Sequence, residues 1–258
     1  MNSRLVLAAI GLVAVVAGAA AADPRPIAEQ VSQLEDGFLA DVEKAADPVP
    51  MFDRYEEALR ALMRDHPDSP APYLGCLELF EKCEPERALR IIDEILARPN
   101  LPDRVRVAFE SARRTAALVG SPLDLAFTAI DGRPVDFSRL RGKVVVIDFW
   151  ATWCGPCLRE QPRLLALHQA HHADGLEIVG VSFDRERARL DAYLRSHALP
   201  WPQVYPDADA KTALAQATGV SGGVLPTIFI LGRDGRLRHT SNSRYRIEEK
   251  VARLLEER

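Results

Sequence analysis

Two cysteines separated by two residues carry the strongest chemical signal in this sequence. They belong to the segment Trp153-Cys154-Gly155-Pro156-Cys157, which follows an apolar run. A cysteine thiolate is a nucleophile, and a helix N-terminus stabilises it through unpaired N–H groups and positive potential. Pro156 suits the first turn of such a helix, and Trp153 can shield the sulfur. The spacing predicts thiol–disulfide exchange, in which Cys154 attacks a substrate disulfide and the more buried Cys157 resolves the mixed disulfide.

Two other uses of a cysteine pair compete with exchange. A structural zinc site usually needs four ligands, and the chain has no second pair of cysteines at this spacing. A purely structural disulfide would gain little, because the loop between the two cysteines is so short. Both alternatives are weaker than a redox pair.

Two acidic residues stand close to the cysteines along the chain. Asp148 interrupts the apolar run 144–149, where burial would raise its pKa and let it accept the proton of Cys157. The alternative is an aspartate solvated at the end of a strand. Glu160 lies one helical turn after Cys157, so it either influences that thiol or faces solvent as a favourable first-turn acid.

A proline marks a second segment of interest. Pro226 follows Leu225 directly before an apolar strand, in Gly222-Gly223-Val224-Leu225-Pro226-Thr227. Proline is unusual there unless its peptide bond is cis or the hydrogen-bond ladder starts at this point. A cis bond would expose the backbone of Leu225 to a bound peptide.

The elements that must position these residues lie in residues 120–258, after a boundary at Gly120-Ser121-Pro122. Short apolar runs alternate there with helical segments. The pattern predicts strands over 144–149, 176–183, 227–231 and 237–241, helices over 158–171, 186–197, 208–218 and 247–257, and a hairpin over 125–137. Such alternation predicts an α/β fold whose sheet has parallel pairs and helices on both faces.

Residues 23–119 are predicted to form an all-α domain. Apolar residues recur at helical spacing over 51–65, 71–82, a stretch after Pro85, and 103–118. The order of helices and Pro-Asp turns looks like part of a tetratricopeptide array, although a stable array needs about three repeats. An ordinary helical cap is the alternative, and a docking surface for a partner protein is the functional hypothesis.

The N-terminus and the charge bound the compartment and the partners. Arg4 precedes an apolar run that ends in Ala20-Ala21-Ala22, so residues 1–22 are predicted to be a signal peptide, with an uncleaved membrane anchor as the alternative. Either places the rest outside the cytoplasm, where disulfides form. The net charge of −4 provides no basic field for nucleic acid.

Several longer segments resemble one family. Asp148-Phe149-Trp150-Ala151-Thr152-Trp153-Cys154-Gly155-Pro156-Cys157 resembles the active-site segment of thioredoxins. Ile130-Asp131-Gly132-Arg133-Pro134-Val135, Leu140-Arg141-Gly142-Lys143-Val144, Glu160-Gln161-Pro162 and Val181-Ser182-Phe183-Asp184 resemble the exported TlpA/ResA-like branch, which is related to AhpC/TSA redoxins. The resemblance covers about residues 122 to 255 and leaves the helical part uncovered.

The resemblance implies a thioredoxin fold with Cys154 as nucleophile and Cys157 as resolving thiol. It also implies that Asp148 and Glu160 act on Cys157, and that Pro226 is a cis-proline facing the cysteines. One departure is Leu225, since relatives commonly carry valine before this proline.

The resemblance implies no cofactor or metal beyond the cysteine pair itself. Gly155-Pro156 between the two cysteines resembles the dipeptide of thioredoxin, which is a reductant. The resemblance therefore favours reduction of client disulfides. The electrons would come from a membrane donor. Apocytochrome c thiols and misoxidised proteins are the clients that the family suggests. Competing hypotheses are a redox tether or holdase that uses the helical domain, and a thiol peroxidase. A peroxidatic cysteine normally lies in a Thr-x-x-Cys segment. Thr152 stands only two residues before Cys154, which disfavours the peroxidase.

Two further groups of residues leave their roles open. Cys76 and Cys83 are roughly 10 Å apart on a continuous helix, too far to bridge. A break after Cys83 would leave open an oxidised pair, two buried thiols or a second redox pair. His168, His171 and His172 could ligate a metal, but solvated side chains at a helix C-terminus are the simpler expectation.

Overall fold

The computed structural model describes residues 25–45, 49–80, 83, 85–222, 225–241 and 247–257. The predicted signal peptide or anchor at residues 1–22 lies outside this range. Within the described residues, no helix combines the length and apolar character needed to cross a membrane.

The first part of the chain is helical, as its periodicity predicts. It contains α1 (Ile27–Lys44), α2 (Val49–Asp65), α3 (Pro70–Phe80), α4 (Pro85–Leu96) and α5 (Asp103–Ala117). In α2, Phe52, Tyr55 and Leu59 recur at three- and four-residue spacing and are all buried. Prolines stand at or just before the first residue of α3, α4 and α5, where a missing N–H costs nothing. These helices share one apolar core, and the tetratricopeptide interpretation stays a prediction.

The second part is an α/β structure. Its elements are β1 (Ala126–Thr128), β2 (Pro134–Asp136), β3 (Val144–Trp150), α6 (Gly155–His171), β4 (Leu176–Ser182), α7 (Arg187–Ser196), β5 (Gln203–Val204), α8 (Ala208–Thr218), β6 (Thr227–Leu231), β7 (Leu237–Ser241) and α9 (Ile247–Glu256). β1 and β2 form the predicted hairpin. The other strands form one sheet in the order β5-β4-β3-β6-β7. β3 is parallel to β4 and antiparallel to β6, which confirms the mixed sheet of the predicted thioredoxin fold.

The central strand β3 is buried along its whole length because helices cover both faces of the sheet. Val144 and Val146 point to one face and pack in a core with Leu164 of α6. Ile147 on the other face packs in a core with Leu214 of α8. The sequence of β3 is therefore apolar almost throughout rather than alternating, as expected of a strand that is buried on both faces.

Two details of this part differ from the sequence-based prediction. The helix predicted over 158–171 begins at Gly155, so the second cysteine lies within its first turn. The edge strand β5 was not predicted. It is only two residues long, Gln203 and Val204, and so short a strand leaves no period in the sequence.

The two parts meet where α5 contacts the C-terminal end of α8. Ser111 donates a hydrogen bond from its hydroxyl to the carbonyl oxygen of Gly219. Thr115 donates from Oγ1 to the carbonyl oxygen of Thr218 at 2.8 Å. These two carbonyls end a helix, where backbone acceptors lack partners inside the helix. α5 therefore caps α8 shortly before the segment that leads to Pro226.

Gly219 is expected to be the residue on which this junction depends most. Its φ is +78°, and a Cβ there would lie 2.5 Å from the carbonyl oxygen of Ser111. We expect Gly219→Ala to lower the free energy of unfolding by about 2 to 4 kcal/mol, measured by urea denaturation. Gly120→Ala is the matched control, because Gly120 has φ +85° but nothing within 4 Å of a Cβ. Equal losses in the two variants would show that the contact with α5 contributes nothing.

Candidate active site

Cys154 and Cys157 are joined by a disulfide at the start of α6, with their Cα atoms 5.3 Å apart. Cys154 is the N-cap of the helix, and its Sγ accepts a hydrogen bond from the backbone N–H of Cys157 at 3.2 Å. The sulfur thus occupies the position where a helix offers its unpaired N–H groups, as the sequence predicts.

Both cysteines are buried, and Cys157 is the more completely buried of the two. Cys154 is 4% exposed and Cys157 is 0% exposed. Around them, Trp153 is 50% exposed, and Gly155 and Pro156 are also exposed. A large partner can therefore contact the residues on either side of Cys154, whereas Cys157 has no exposed surface.

Asp148 lies in the middle of the sheet and is 1% exposed. It pairs with Gly180 of β4 on one side and with Ile228 of β6 on the other. Because side chains alternate along a strand, Asp148 is on the same face of β3 as Val146, which packs in the core that α6 covers. Asp148 is thus buried within the sheet, so the alternative of an aspartate solvated at the end of a strand does not hold.

Glu160 is less clearly tied to the cysteines. Its side chain is 39% exposed, and its Oε2 lies 3.9 Å from Nη1 of Arg163. Arg163 also binds the carboxylate of Glu248 in α9 through two hydrogen bonds. Glu160 therefore has a cationic neighbour as well as its position one turn after Cys157, and its action on that thiol stays a prediction.

The peptide bond between Leu225 and Pro226 is cis, as the resemblance implies. Both residues are half-buried, and Leu225 packs against the core that contains the two cysteines. On the same side, a Cβ at Gly222 would lie 3.9 Å from Cζ2 of Trp153. The segment around the cis-proline thus lies beside the tryptophan that precedes the nucleophile.

Asp184 has a role in this site that the sequence-based analysis did not assign. It is fully buried, and its carboxylate accepts hydrogen bonds from the backbone N–H of Thr152 at 3.1 Å and from Thr152 Oγ1 at 2.6 Å. Ser182 Oγ donates to it at 2.9 Å. Asp184 therefore fixes the loop just before Cys154. The sequence contains a signal for this contact, because Thr152 and Asp184 follow β3 and β4 directly. The carboxyl ends of parallel strands lie at the same edge of a sheet.

Cys76 and Cys83 are not joined by a disulfide in this structure. Cys76 is 1% exposed, and burial raises the pKa of its thiol to about 12. Cys83 is only half-buried. A thiol that stays protonated and buried is a poor nucleophile.

We therefore expect Cys76 to resist iodoacetamide in the native protein at pH 8 and to react once the chain is unfolded in urea. Peptide mass spectrometry would locate the label, with Cys83 as the internal reference. Rapid native labelling of Cys76 would show that this thiol is accessible and reactive.

The three histidines near the end of α6 show no metal-binding arrangement. The rings of His168 and His172 stack with centroids 4.5 Å apart, and Nδ1 of His172 lies 3.0 Å from the carbonyl oxygen of Leu176. Over the described residues, no three or more His, Cys, Asp or Glu side chains are grouped to hold a metal ion. The third ring, that of His171, has its Nδ1 3.5 Å from Oδ2 of Asp174.

The chain is similar to known thiol–disulfide oxidoreductases. The model of the AhpC/TSA family matches residues 119–240. The thiol-disulfide oxidoreductase ResA of Geobacillus thermodenitrificans (strain NG80-2) is 32% identical over 126 residues, which cover 48% of this chain and 70% of that protein. ResA of Bacillus subtilis (strain 168) is 30% identical over 107 residues, covering 42% and 57%.

Among solved structures, the thioredoxin domain of the thiol-disulfide oxidoreductase BVU-2223 from Bacteroides vulgatus aligns with a TM-score of 0.49 and 24% identity. The alignment covers 53% of this chain and 97% of that domain. The family match begins at residue 119, close to the boundary at Gly120. With its paired cysteines at the helix start and its similarity to ResA, the chain belongs to the AhpC/TSA family and, within it, to the ResA-like thiol–disulfide oxidoreductases.

Proposed function

We propose that this thiol–disulfide oxidoreductase works outside the cytoplasm as a reductase of client proteins, with Cys154 as nucleophile and Cys157 as resolving thiol. The observation that carries the assignment of roles is the disulfide at the start of α6, where Cys157 is completely buried and Cys154 caps the helix beside exposed residues. Enzymes of this class exchange electrons through their own cysteines and need no cofactor.

The reaction runs in two exchanges. The thiolate of Cys154 attacks one sulfur of a client disulfide, so that a bond from Cys154 to the client forms and the client's other sulfur leaves as a thiolate. The thiolate of Cys157 then attacks Cys154, which forms the Cys154–Cys157 disulfide and releases the client's second thiolate. The client gains two electrons, and the enzyme loses two. A thiol donor must reduce the enzyme before the next cycle.

The start of α6 favours the first exchange. In the disulfide form, the N–H of Cys157 points at Cys154 Sγ, and the same donor can stabilise a thiolate at that position. Asp184 supports this geometry because its carboxylate holds Thr152, two residues before the nucleophile. The chain thereby places the sulfur where the N-terminus of the helix favours a negative charge.

Asp148 is proposed to accept the proton of Cys157 in the second exchange, because it is buried on the face of β3 that packs against α6. We expect Asp148→Asn to slow this exchange by on the order of 10², since a positioned general base contributes about that much. Rapid acid quench followed by mass spectrometry would show a longer-lived mixed disulfide on Cys154. An unchanged lifetime would mean that the proton leaves by another route.

Export and a membrane electron donor belong to the same proposal. The N-terminal pattern of Arg4 followed by an apolar run and small alanines supports export. Disulfides form outside the cytoplasm, so an exported reductase would meet client disulfides there. Apocytochrome c, whose cysteine thiols such a reductase would restore from a disulfide, is one client that the family suggests.

The direction of electron flow is tested by the equilibrium potential of the Cys154–Cys157 pair. The oxidised protein is equilibrated in dithiothreitol buffers of known potential, and the thiol content is read by alkylation and mass spectrometry. We expect a midpoint nearer to thioredoxin, at about −270 mV, than to the oxidant DsbA, at about −120 mV. A midpoint near the second value would overturn the reductase assignment.

A further inference from the structure

An open groove of about 370 Å³ lies between the helical domain and the α/β part. α5 forms one wall and α8 the other. Its described lining residues include Arg114, Phe183, Lys211, Thr212, Gln216 and Gly222. Arg114 belongs to the helical domain and lies before residue 119, where the match to the AhpC/TSA family model begins.

The groove adjoins the active site at one end. Phe183 and Gly222 belong to its lining, and a Cβ at Gly222 would lie 3.9 Å from both Phe183 Cδ1 and Trp153 Cζ2. Trp153 directly precedes Cys154. A polypeptide whose disulfide is at Cys154 can therefore continue past the tryptophan into the groove.

The wall made by α5 is held in place. Ser111, Arg114 and Thr115 lie on one face of α5, at three- and four-residue spacing. The first and last of them donate hydrogen bonds to the C-terminal end of α8. Arg114 is exposed on the same face, at the rim of the groove.

The charges of the groove are of one sign. Arg114 and Lys211 are its charged lining residues in the described part of the chain, and none of that lining is acidic. Lys211 donates from Nζ to the carbonyl oxygen of Asp184 at 2.6 Å and lies 4.1 Å from the centre of the Tyr205 ring. Arg114 makes no ion pair with any residue that the structure describes. The guanidinium is therefore available to an external carboxylate.

We infer that this groove binds the segment of the client chain next to its reactive cysteine, and that Arg114 selects clients with an acidic residue in that segment. The inference rests on the proposed function, since it concerns the substrate of the same site. It gives the helical domain a direct part in client choice. Phe183 provides an apolar surface in the groove for one side chain of the client segment. Arg114 would form an ion pair with a neighbouring acidic residue of the same segment.

The test compares two synthetic peptides that each contain one internal disulfide. They are identical except that two aspartates beside a cysteine in the first are asparagines in the second. Second-order rates of reduction are measured with pre-reduced protein at low ionic strength, where exposed charges are least screened. The readout is the ratio of the rate on the acidic peptide to the rate on the amide peptide.

Wild-type protein is expected to favour the acidic peptide, and Arg114→Glu is expected to lower the ratio about five-fold, the effect of reversing one exposed ion pair. Arg114→Ala should lower it by less. Arg104→Glu makes the same charge change in the first turn of α5, about 15 Å away along the helix, and should leave the ratio unchanged.

The outcomes separate this inference from the proposed function. If wild-type protein reduces both peptides equally, or if the ratio is the same in Arg114→Glu and wild type, the inference is wrong while the reductase assignment stands. If wild-type protein reduces neither peptide nor the small neutral hydroxyethyl disulfide, the proposed function fails and the inference fails with it.

Discussion

Replacing Cys154 by alanine is expected to abolish disulfide reduction. With dithiothreitol as electron donor, wild-type protein should accelerate the reduction of insulin disulfides, and Cys154→Ala should leave only the rate of dithiothreitol alone. The enzymatic part of the rate is expected to fall by on the order of 10³ or more, as when a nucleophile is removed elsewhere. The reason is geometric, because Cys157 is 0% exposed and cannot take over the attack.

A matched control uses another cysteine of the chain. Cys83 is half-buried in the helical part and is not in a disulfide, and Cys83→Ala should reduce insulin at the wild-type rate. Equal rates for Cys154→Ala and wild type would contradict the enzyme mechanism. Only the hypothesis of a redox tether or holdase would then remain for this part of the protein.

Replacing Cys157 by serine is expected to trap the client on the enzyme. Cys154 can still attack, but no second thiol can resolve the mixed disulfide, so the adduct persists until an external thiol removes it. Non-reducing electrophoresis should show adducts with Cys157→Ser that disappear on addition of dithiothreitol. Mass spectrometry of those adducts would identify the clients directly.

The reciprocal variant fixes the order of the two cysteines. Cys154→Ser should trap no adduct, since its remaining thiol at Cys157 is completely buried in the first turn of α6. Adducts on Cys154→Ser and none on Cys157→Ser would reverse the assigned roles. The pair of variants thus decides which sulfur the client meets first.

Much of the fold could be predicted from the sequence because local pattern and tertiary structure agree in it. The apolar run 144–149 predicts a strand buried on both faces, and β3 is the central strand of the sheet. The helical spacing of Phe52, Tyr55 and Leu59 likewise predicts the buried face of α2. Where every local preference supports the same element, the sequence alone is sufficient.

The active site divides along the same line. The burial of Asp148 follows from the apolar residues around it, and the position of Cys154 follows from the strand–helix order. The role of Asp184 depends on a contact 32 residues away with Thr152, which requires the pairing of β3 with β4. Such long-range contacts leave no periodic trace in the sequence, although the rule for parallel strands points to the right edge of the sheet.

The groove beside the active site could not be predicted at all. It depends on how α5 meets α8, and the hydrogen bond between Thr115 and Thr218 joins residues 103 positions apart. Gly219 is part of the same contact, because only a residue without a side chain fits against the carbonyl of Ser111. The sequence pattern changes near Gly120, but nothing in it indicates how the parts on either side of that residue contact each other.

The most direct test of the mechanism is a single turnover that follows the electrons. Fully reduced wild-type protein is mixed with less than one equivalent of a peptide that contains one disulfide, quenched with acid and mapped by mass spectrometry. For each peptide disulfide that is reduced, one Cys154–Cys157 disulfide should form, while Cys76 and Cys83 remain free. Reduction of the peptide without formation of that disulfide would contradict the account, and so would a failure to reduce the peptide.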